Sequence, residues 1–301
     1  MFSTQVGDHP SYKAISYVWG SYEDKVEITV NGHAFFITKN LHDALEDLRD
    51  SVTIGVFWTD QLCINQANHQ EKMSQVAVMG SIYHFATTVV VYLGPSTEQS
   101  ETEIRDLRSF IEPHAPDEEA PWSHIGIHNL ERSIANILAR PWFERIWTVQ
   151  EAVLARHMIL QLGRHQVRWL CDLKTLRALI FRIKTAVISP VFALRYGPPS
   201  KLDWAPLLYI LESQMRQAAR RENVIVLRNL CDIAFDFRDR YSTDPRDRYF
   251  AIMGIYEHFE GDGVRQQLGH YMNYKMSADE VYRRFKFAVQ SGSEIEDVPL
   301  E

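Results

Sequence analysis

Residues 52–95 read VTIGVFWTDQLCINQANHQEKMSQVAVMGSIYHFATTVVVYLGP, and this stretch decides the fold class. Its two apolar runs, 52–58 and 88–93, are rich in β-branched and aromatic residues, as strands are. Between them Asn68 stands three residues before Glu71, the spacing of a helix capping box. The helix this starts carries Val76, Met79, Ile82, Tyr83 and Phe85 toward a core. Strand, helix and strand in succession argue for a mostly parallel α/β sheet. The run 52–58 is expected as a central strand of it.

Working outward, residues 12–19 (YKAISYVW) read as a strand closed by Gly20. Residues 25–38 read as a hairpin turning at Asn31-Gly32, since both residues accept positive φ. A helix from Asn40 places Leu41, Ala44, Leu45 and Leu48 on one face. Residues 96–121 are acidic and interrupted by proline, the pattern of a solvated surface insertion. Helical pattern resumes near Asn129 and breaks at Arg140-Pro141-Trp142, because proline suits only the first turn of a new helix. That helix runs through Glu151 to about Arg156. A second hairpin turns at Gly163, and the chain beyond Cys171 reads as helices over roughly 171–187, 203–219, 222–237, 246–257 and 277–290. The expected organisation is an α/β domain over 1–169, with added hairpins, and a mainly helical extension over 170–301 packed on it.

Composition limits the function classes. The 301 residues are 46% hydrophobic and 24% charged, which are globular values. The net charge of −7 supplies no basic field for nucleic acid. The charge is uneven: residues 1–150 hold 10 basic and 20 acidic side chains, and residues 151–301 hold 22 and 19. Three scattered cysteines without a CxxC pair fit a reduced, cytoplasmic protein. The first residues lack the apolar core of a signal peptide, and no apolar run reaches the length of a membrane span.

The chemistry-bearing residues gather at expected strand ends, where open α/β sheets bind ligands. Tyr17, Trp19 and Gly20 end one strand; Trp58, Asp60 and Gln61 end another and lead to Asn65. Asp60 there can accept hydrogen bonds from a sugar; the alternative is that Asp60 and Asn65 satisfy backbone groups in a turn. In RPWFERIWTVQE (140–151), Trp147 and Glu151 are four apart and share a helix face. An indole beside a carboxylate suits cleavage of an N-glycosidic bond through an oxocarbenium-like transition state. Trp19 and Glu23 have the same spacing, so the spacing alone does not select Glu151. His124 and His128 lack a third ligand nearby, and no metal site is expected. No dinucleotide fingerprint, phosphate loop or GxSxG elbow occurs. In DPRDRYF (244–250), Asp244 reads as a helix cap and the arginines as partners of acids.

Together YKAISYVWG, VNGHAFFITKNLHDALEDLR, FWTDQLCINQANHQEKMSQVAVMGSIYHFATTVVVYLGP and RPWFERIWTVQEAVLA resemble the fungal heterokaryon-incompatibility (HET) domain over about residues 12–155. DPRDRYFAIMGI and YKMSADEVYRRF resemble segments that often follow it, extending the likeness to about residue 288. Thr59 and Asn68 depart from the family's usual aliphatic and acidic residues, without touching Asp60, Trp147 or Glu151.

The resemblance implies a role in fungal non-self recognition and regulated cell death. HET domains are distantly similar to the Toll/interleukin-1 receptor (TIR) domain, a flavodoxin-like α/β fold, many members of which cleave NAD with a glutamate in a WxxxE helix. The implied reading is an NAD glycohydrolase with Glu151 catalytic. Its substrate is NAD or a related nucleotide held near Tyr17, Trp19, Gly20, Trp58, Asp60, Gln61, Asn65, Arg140 and Trp147, and it needs no further cofactor. The implied partners are further copies of the chain or an upstream non-self sensor. The alternative is a non-enzymatic assembly module in which Asp60 and Glu151 pair with arginines such as Arg140. A third reading is a metabolic nucleosidase without a role in death.

Overall fold

A computed structural model describes residues 11–49, 54–112, 125–188, 202–224, 230–260 and 273–290. A five-stranded sheet is built from β1 (Lys13–Ser16), β4 (Phe57–Trp58), β5 (Thr88–Tyr92), β6 (Met158–Leu162) and β7 (His165–Trp169). Its spatial order is β4-β1-β5-β6-β7. All neighbours run parallel except β6 and β7, which form the expected hairpin. A separate hairpin, β2 (Lys25–Val30) and β3 (His33–Thr38), turns with positive φ at Asn31 and Gly32.

Each face of the sheet has its own apolar layer. Ile15, Tyr17 and Tyr92 meet Ile37 of β3 and Leu41 and Ala44 of α1 (Lys39–Asp47). Ala14, Val89, Val91 and Leu160 face the larger core. That core is closed by α3 (His69–Phe85), α4 (Ser100–Ile111), α5 (Ile127–Leu138) and α6 (Trp147–Leu154). It continues without a break into α7 (Leu173–Ile188), α8 (Ala205–Arg221), α10 (Asp247–Glu260) and α11 (Ala278–Gln290). Leu176, Leu211, Phe250 and Val281 of these helices belong to the same buried cluster as Val149 of α6. The short helices α2 (Asp60–Cys63) and α9 (Leu230–Asp236) complete the described elements.

α6 is buried from Thr148 to Leu154, its polar Thr148, Gln150 and Glu151 included, so it is enclosed all round. Asn68 caps α3 as its sequence pattern requires, accepting from the backbone N–H of Gln70 and Glu71. Val76, Met79, Ile82 and Tyr83 of α3 are buried, but Phe85 at its end is 42% exposed.

Two expectations are corrected. β4 is a two-residue edge strand rather than a long central one. Residues 52–53 lie outside the described set, and Ile54 is fully exposed, so the apolar run does not enter the sheet before Phe57. Within 96–121, residues Ser100–Ile111 form a packed helix rather than a solvated insertion. Ile104, Leu107, Phe110 and Ile111 share one buried face. Two of its three acids are buried with partners: Ser133 Oγ donates to Asp106 at 2.7 Å and Asn136 Nδ2 to Glu103 at 2.8 Å. The proline-bearing part, 113–121, is outside the described residues. Among the described residues no helix is long and apolar enough to cross a membrane.

The β6–β7 turn rests on Gly163, whose φ is +55° and whose N–H donates to Gly94 O at 2.9 Å. A Cβ there would lie 2.5 Å from Ser96 Cβ and 2.8 Å from its backbone nitrogen. Gly163→Ala is therefore expected to cost about 1–3 kcal/mol, through strain and overlap together. Thermal melting of the variant beside the wild type measures it, and an unchanged midpoint contradicts the packing described.

Candidate active site

Ser16, the last residue of β1, points into the larger core and is fully buried. Its hydroxyl accepts from Trp142 Nε1 at 2.8 Å and donates to Glu151 Oε2. Trp142 sits in a 3₁₀ turn (Pro141–Glu144) with proline at its start, where the missing N–H costs nothing. Thr148 Oγ1 ties that turn to α6, reaching Trp142 O at 2.8 Å and Arg145 O at 2.7 Å. Glu151 is thereby anchored to β1 through Ser16, with Tyr83, whose hydroxyl donates to Ile15 O at 3.2 Å, close by. It is 5% exposed, and burial pushes its carboxyl up to about 8, with the Asp60 charge adding to the rise. Ser16, Arg145 and Tyr83 oppose that rise without cancelling it.

Asp60 opens α2 directly after β4. It accepts from Tyr17 OH at 2.8 Å, from the Gln61 backbone N–H at 2.8 Å and from Trp19 Nε1. Burial raises its carboxyl above the ordinary range, against the pull of these donors and of Arg145. Arg145 Nη1 donates to Tyr17 O at 3.1 Å, which fixes the guanidinium beside both carboxylates.

These groups line a cleft of about 480 Å³ beyond the carboxyl ends of β1 and β4. Trp19, Gly20, Asp60, Trp147 and Glu151 contribute from the α/β half, with Lys72 and Arg145 as its cations. The other wall comes from the helical half, through residues 241–244, Asp247 and Tyr274. Backbone pairing holds it there: Ile146 N–H donates to Tyr241 O at 2.9 Å, and Tyr241 N–H to Glu144 O at 2.5 Å. The Asp247 carboxylate accepts from Tyr274 OH at 2.5 Å. Lys72 Nζ lies 5.3 Å from the Tyr274 ring centre, a cation–π contact.

Five of the ten residues singled out in the sequence line this cleft: Trp19, Gly20, Asp60, Trp147 and Glu151. Tyr17 stands behind it, buried, as the donor to Asp60. The other four lie elsewhere. Trp58 packs edge-on against Tyr83 at 5.5 Å. Gln61 joins α2 to β3, accepting from Thr38 N–H at 3.1 Å. Asn65 is exposed and its Oδ1 accepts from Ala67 N–H at 3.2 Å, which is the turn role. Arg140 is 3.7 Å from Glu103 and lines a smaller recess of about 140 Å³ with Gly94 and Pro95. The arginine beside Asp60 and Glu151 is Arg145 instead.

Asp244 and Arg246 fill the helix-start and ion-pair roles read from DPRDRYF, with Nη2 to Oδ2 at 2.6 Å. Arg145, Lys72, Asp247 and Tyr274 were missed. Asp247 and Tyr274 lie within DPRDRYF and YKMSADEVYRRF, so a signal existed, but nothing in one chain shows that these segments reach the strand ends. Among the described residues no group of three or more His, Cys, Asp and Glu side chains is arranged to hold a metal ion.

Residues 12–151 match the family model described as "Heterokaryon incompatibility protein (HET)". Residues 12–151 are a HET domain. The chain is 31% identical over 321 aligned positions to heterokaryon incompatibility protein 6, OR allele, of Neurospora crassa. That alignment covers 88% of this chain and 46% of the relative, so the chain spans about half the length of the curated relative it matches. No solved structure matches it significantly.

The HET segment holds Glu151 in a state that resists ionisation, and folding is linked to it. The folded chain binds this proton more tightly than the unfolded chain, whose ordinary value is 4.5 against about 8 when folded. The contribution is fully present below the unfolded value and is lost as pH rises to about 8. Stability should fall by a few kcal/mol, in order of magnitude, across that window. Glu151→Gln mimics the protonated form and should flatten this part of the profile. Urea midpoints from pH 5 to 9 for both proteins test it; parallel profiles would contradict the assignment.

Proposed function

We propose that the cleft cleaves the N-glycosidic bond of NAD or a related nucleotide, and that this activity serves non-self recognition and regulated cell death. The observation that carries the reading is Glu151 in the cleft, one helical turn from Trp147 and anchored through Ser16 to β1. The biological part is supported by the HET-family match and by the likeness to the Neurospora incompatibility protein. The chemical part is supported by the WxxxE helix and by the strand order. Numbered along the chain, the main sheet runs 2-1-3-4-5, the order of flavodoxin-like sheets and the one a TIR-like fold has.

In this reading the ribose lies near Glu151 and the cationic nicotinamide near Trp147. The C1′–N bond breaks, the ring nitrogen keeps both electrons, and nicotinamide leaves neutral. Glu151 hydrogen-bonds the ribose and its negative charge stabilises the oxocarbenium at C1′. Water then adds at C1′ and gives up a proton. The empty cleft holds Glu151 protonated near neutrality, and an incoming cationic ring favours its ionised form. Charge on the glutamate thus develops when the substrate brings its own.

One observation favours a second reading. Asp60 and Glu151 both have neighbouring side chains as partners, so they can also serve as posts of a non-enzymatic assembly module. Nicotinamide release from NAD by concentrated full-length chain, with and without a crowding agent, separates the two. The expected result is release that falls about a hundredfold or more in a folded Glu151→Gln variant, the scale of losing one preorganised electrostatic partner. No release from either protein, at concentrations where the chain self-associates, rejects the enzyme in favour of the module.

A further inference from the structure

The recess that holds Arg140 is separate from the cleft, yet the two are neighbours: Val18 and Pro141 line both. The cleft lies beyond the carboxyl ends of β1 and β4. The recess lies beyond those of β1 and β5, between Val18 and residues 92–95. From β1, the next strand of the main sheet, β4, packs on one side, and the one after it, β5, on the other. The strand order thus reverses between β1 and β5, and open α/β sheets bind ligands in the crevice at such a switch point.

The two cavities differ in charge. Among the described residues five acids line the cleft against two cations, whereas the recess has no acid in its lining and Arg140 as its single charge. Arg140 is loosely held. Its Nη1 reaches Pro95 O at 3.4 Å, and its Nη2 stands 3.7 Å from Glu103 Oε2, beyond hydrogen-bond reach. That buried oxygen has no hydrogen-bond partner among the described residues, so Glu103 steadies the guanidinium by charge alone, from outside the recess. Gly94, with φ of +114°, keeps a side chain away from the cation: a Cβ there would stand 3.6 Å from Arg140 Nη1. The volume of about 140 Å³ is well short of the roughly 300 Å³ at which small-molecule sites begin, so the recess suits one group of a larger ligand.

We propose that the recess is an anion subsite, in which Arg140 takes a phosphate of the nucleotide whose cationic end lies in the cleft. The inference rests on the cleft being the nucleotide site. A dinucleotide with a cationic ring carries positive charge at one end and its diphosphate beyond the ribose. The acids of the cleft suit the ring and repel the phosphates; the forked N–H donors of an arginine match a phosphate. Lys72 and Arg145 serve that purpose less well, since Lys72 lies over the Tyr274 ring, Arg145 bonds Tyr17 O, and both stand among the acids. The substrate class narrows accordingly, from nucleosides in general to phosphate-bearing nucleotides.

Adenosine diphosphate and adenosine differ only in the diphosphate. Calorimetric titration of the full chain should show the diphosphate bound about tenfold to a hundredfold more tightly, the scale of a charge-assisted hydrogen bond. Arg140→Gln should remove most of that preference and leave the affinity for adenosine as it was. Arg140→Lys keeps a cation beside Glu103 and should remove less of it, because an ammonium offers no fork. Adenosine diphosphate bound no more tightly than adenosine by the wild type overturns the proposal. So does a folded Arg140→Gln variant that keeps the full preference; where that variant does not fold, full preference in Arg140→Lys overturns it.

Turnover supplies a second readout. In Arg140→Gln the KM for NAD should rise about tenfold to a hundredfold with a smaller change in kcat, the pattern of lost binding. The KM for nicotinamide riboside, which has no phosphate, should not rise with it. A KM for NAD that stays in place, or that rises no more than the KM for the riboside, overturns the subsite. Absence of release from the wild type rejects the glycosidase reading instead, while the titration still decides the recess.

Discussion

The hydrogen-bond chain from Trp142 through Ser16 to Glu151 is the constraint on which the molecule turns. It joins the first strand to the 3₁₀ turn and α6, which lie more than 120 residues further along the chain. Every member is buried. A buried carboxyl without partners would cost several kcal/mol, and an apolar pocket around Ser16 would leave the indole N–H unmet. Each group is therefore stable there only in the presence of the others. Because α6 is enclosed from Thr148 to Leu154, this chain also sets where the helical half can pack.

The cleft is acidic. Asp60, Glu144, Glu151, Asp244 and Asp247 line it, against Lys72 and Arg145. Removal from water raises Asp60, Glu151 and Asp247, and a neighbouring charge adds to it at two of them, Asp60 at Glu151 and Asp244 at Asp247. At Glu151, pushed up to about 8, the empty site holds a proton. The net positive balance of residues 151–301 is not mirrored here, since the segments they send to the cleft bring two more acids and their only nearby arginine is already paired.

Much of this was legible because it is local. The Asn31-Gly32 and Gly163 turns need positive φ, and the α3 cap needs an acceptor at Asn68. Where local signals compete with burial they misled. The acidic, proline-interrupted character of 96–121 made the whole stretch read as solvated, yet Glu103 and Asp106 of α4 are buried beside α5 with hydrogen-bond partners. A β-branched run made 52–58 read as central, but strand position depends on which neighbours arrive, and β1 meets β5 on its other side.

The sequence by itself determined the alternation of strands and helices, the family, and the residues Trp19, Asp60, Trp147 and Glu151 as the ones worth testing. Periodicity, caps and motif spacing act over a few residues, so one chain carries them openly. Only the tertiary structure decided which of them meet. It sent Arg140 to a separate recess, put Arg145 in the cleft with both carboxylates, and brought Asp247 and Tyr274 from the far half to the strand ends. The physical reason is that a cleft is defined by convergence across long sequence separations. Spacing along the chain does not encode that; the packing of α6 against both halves does.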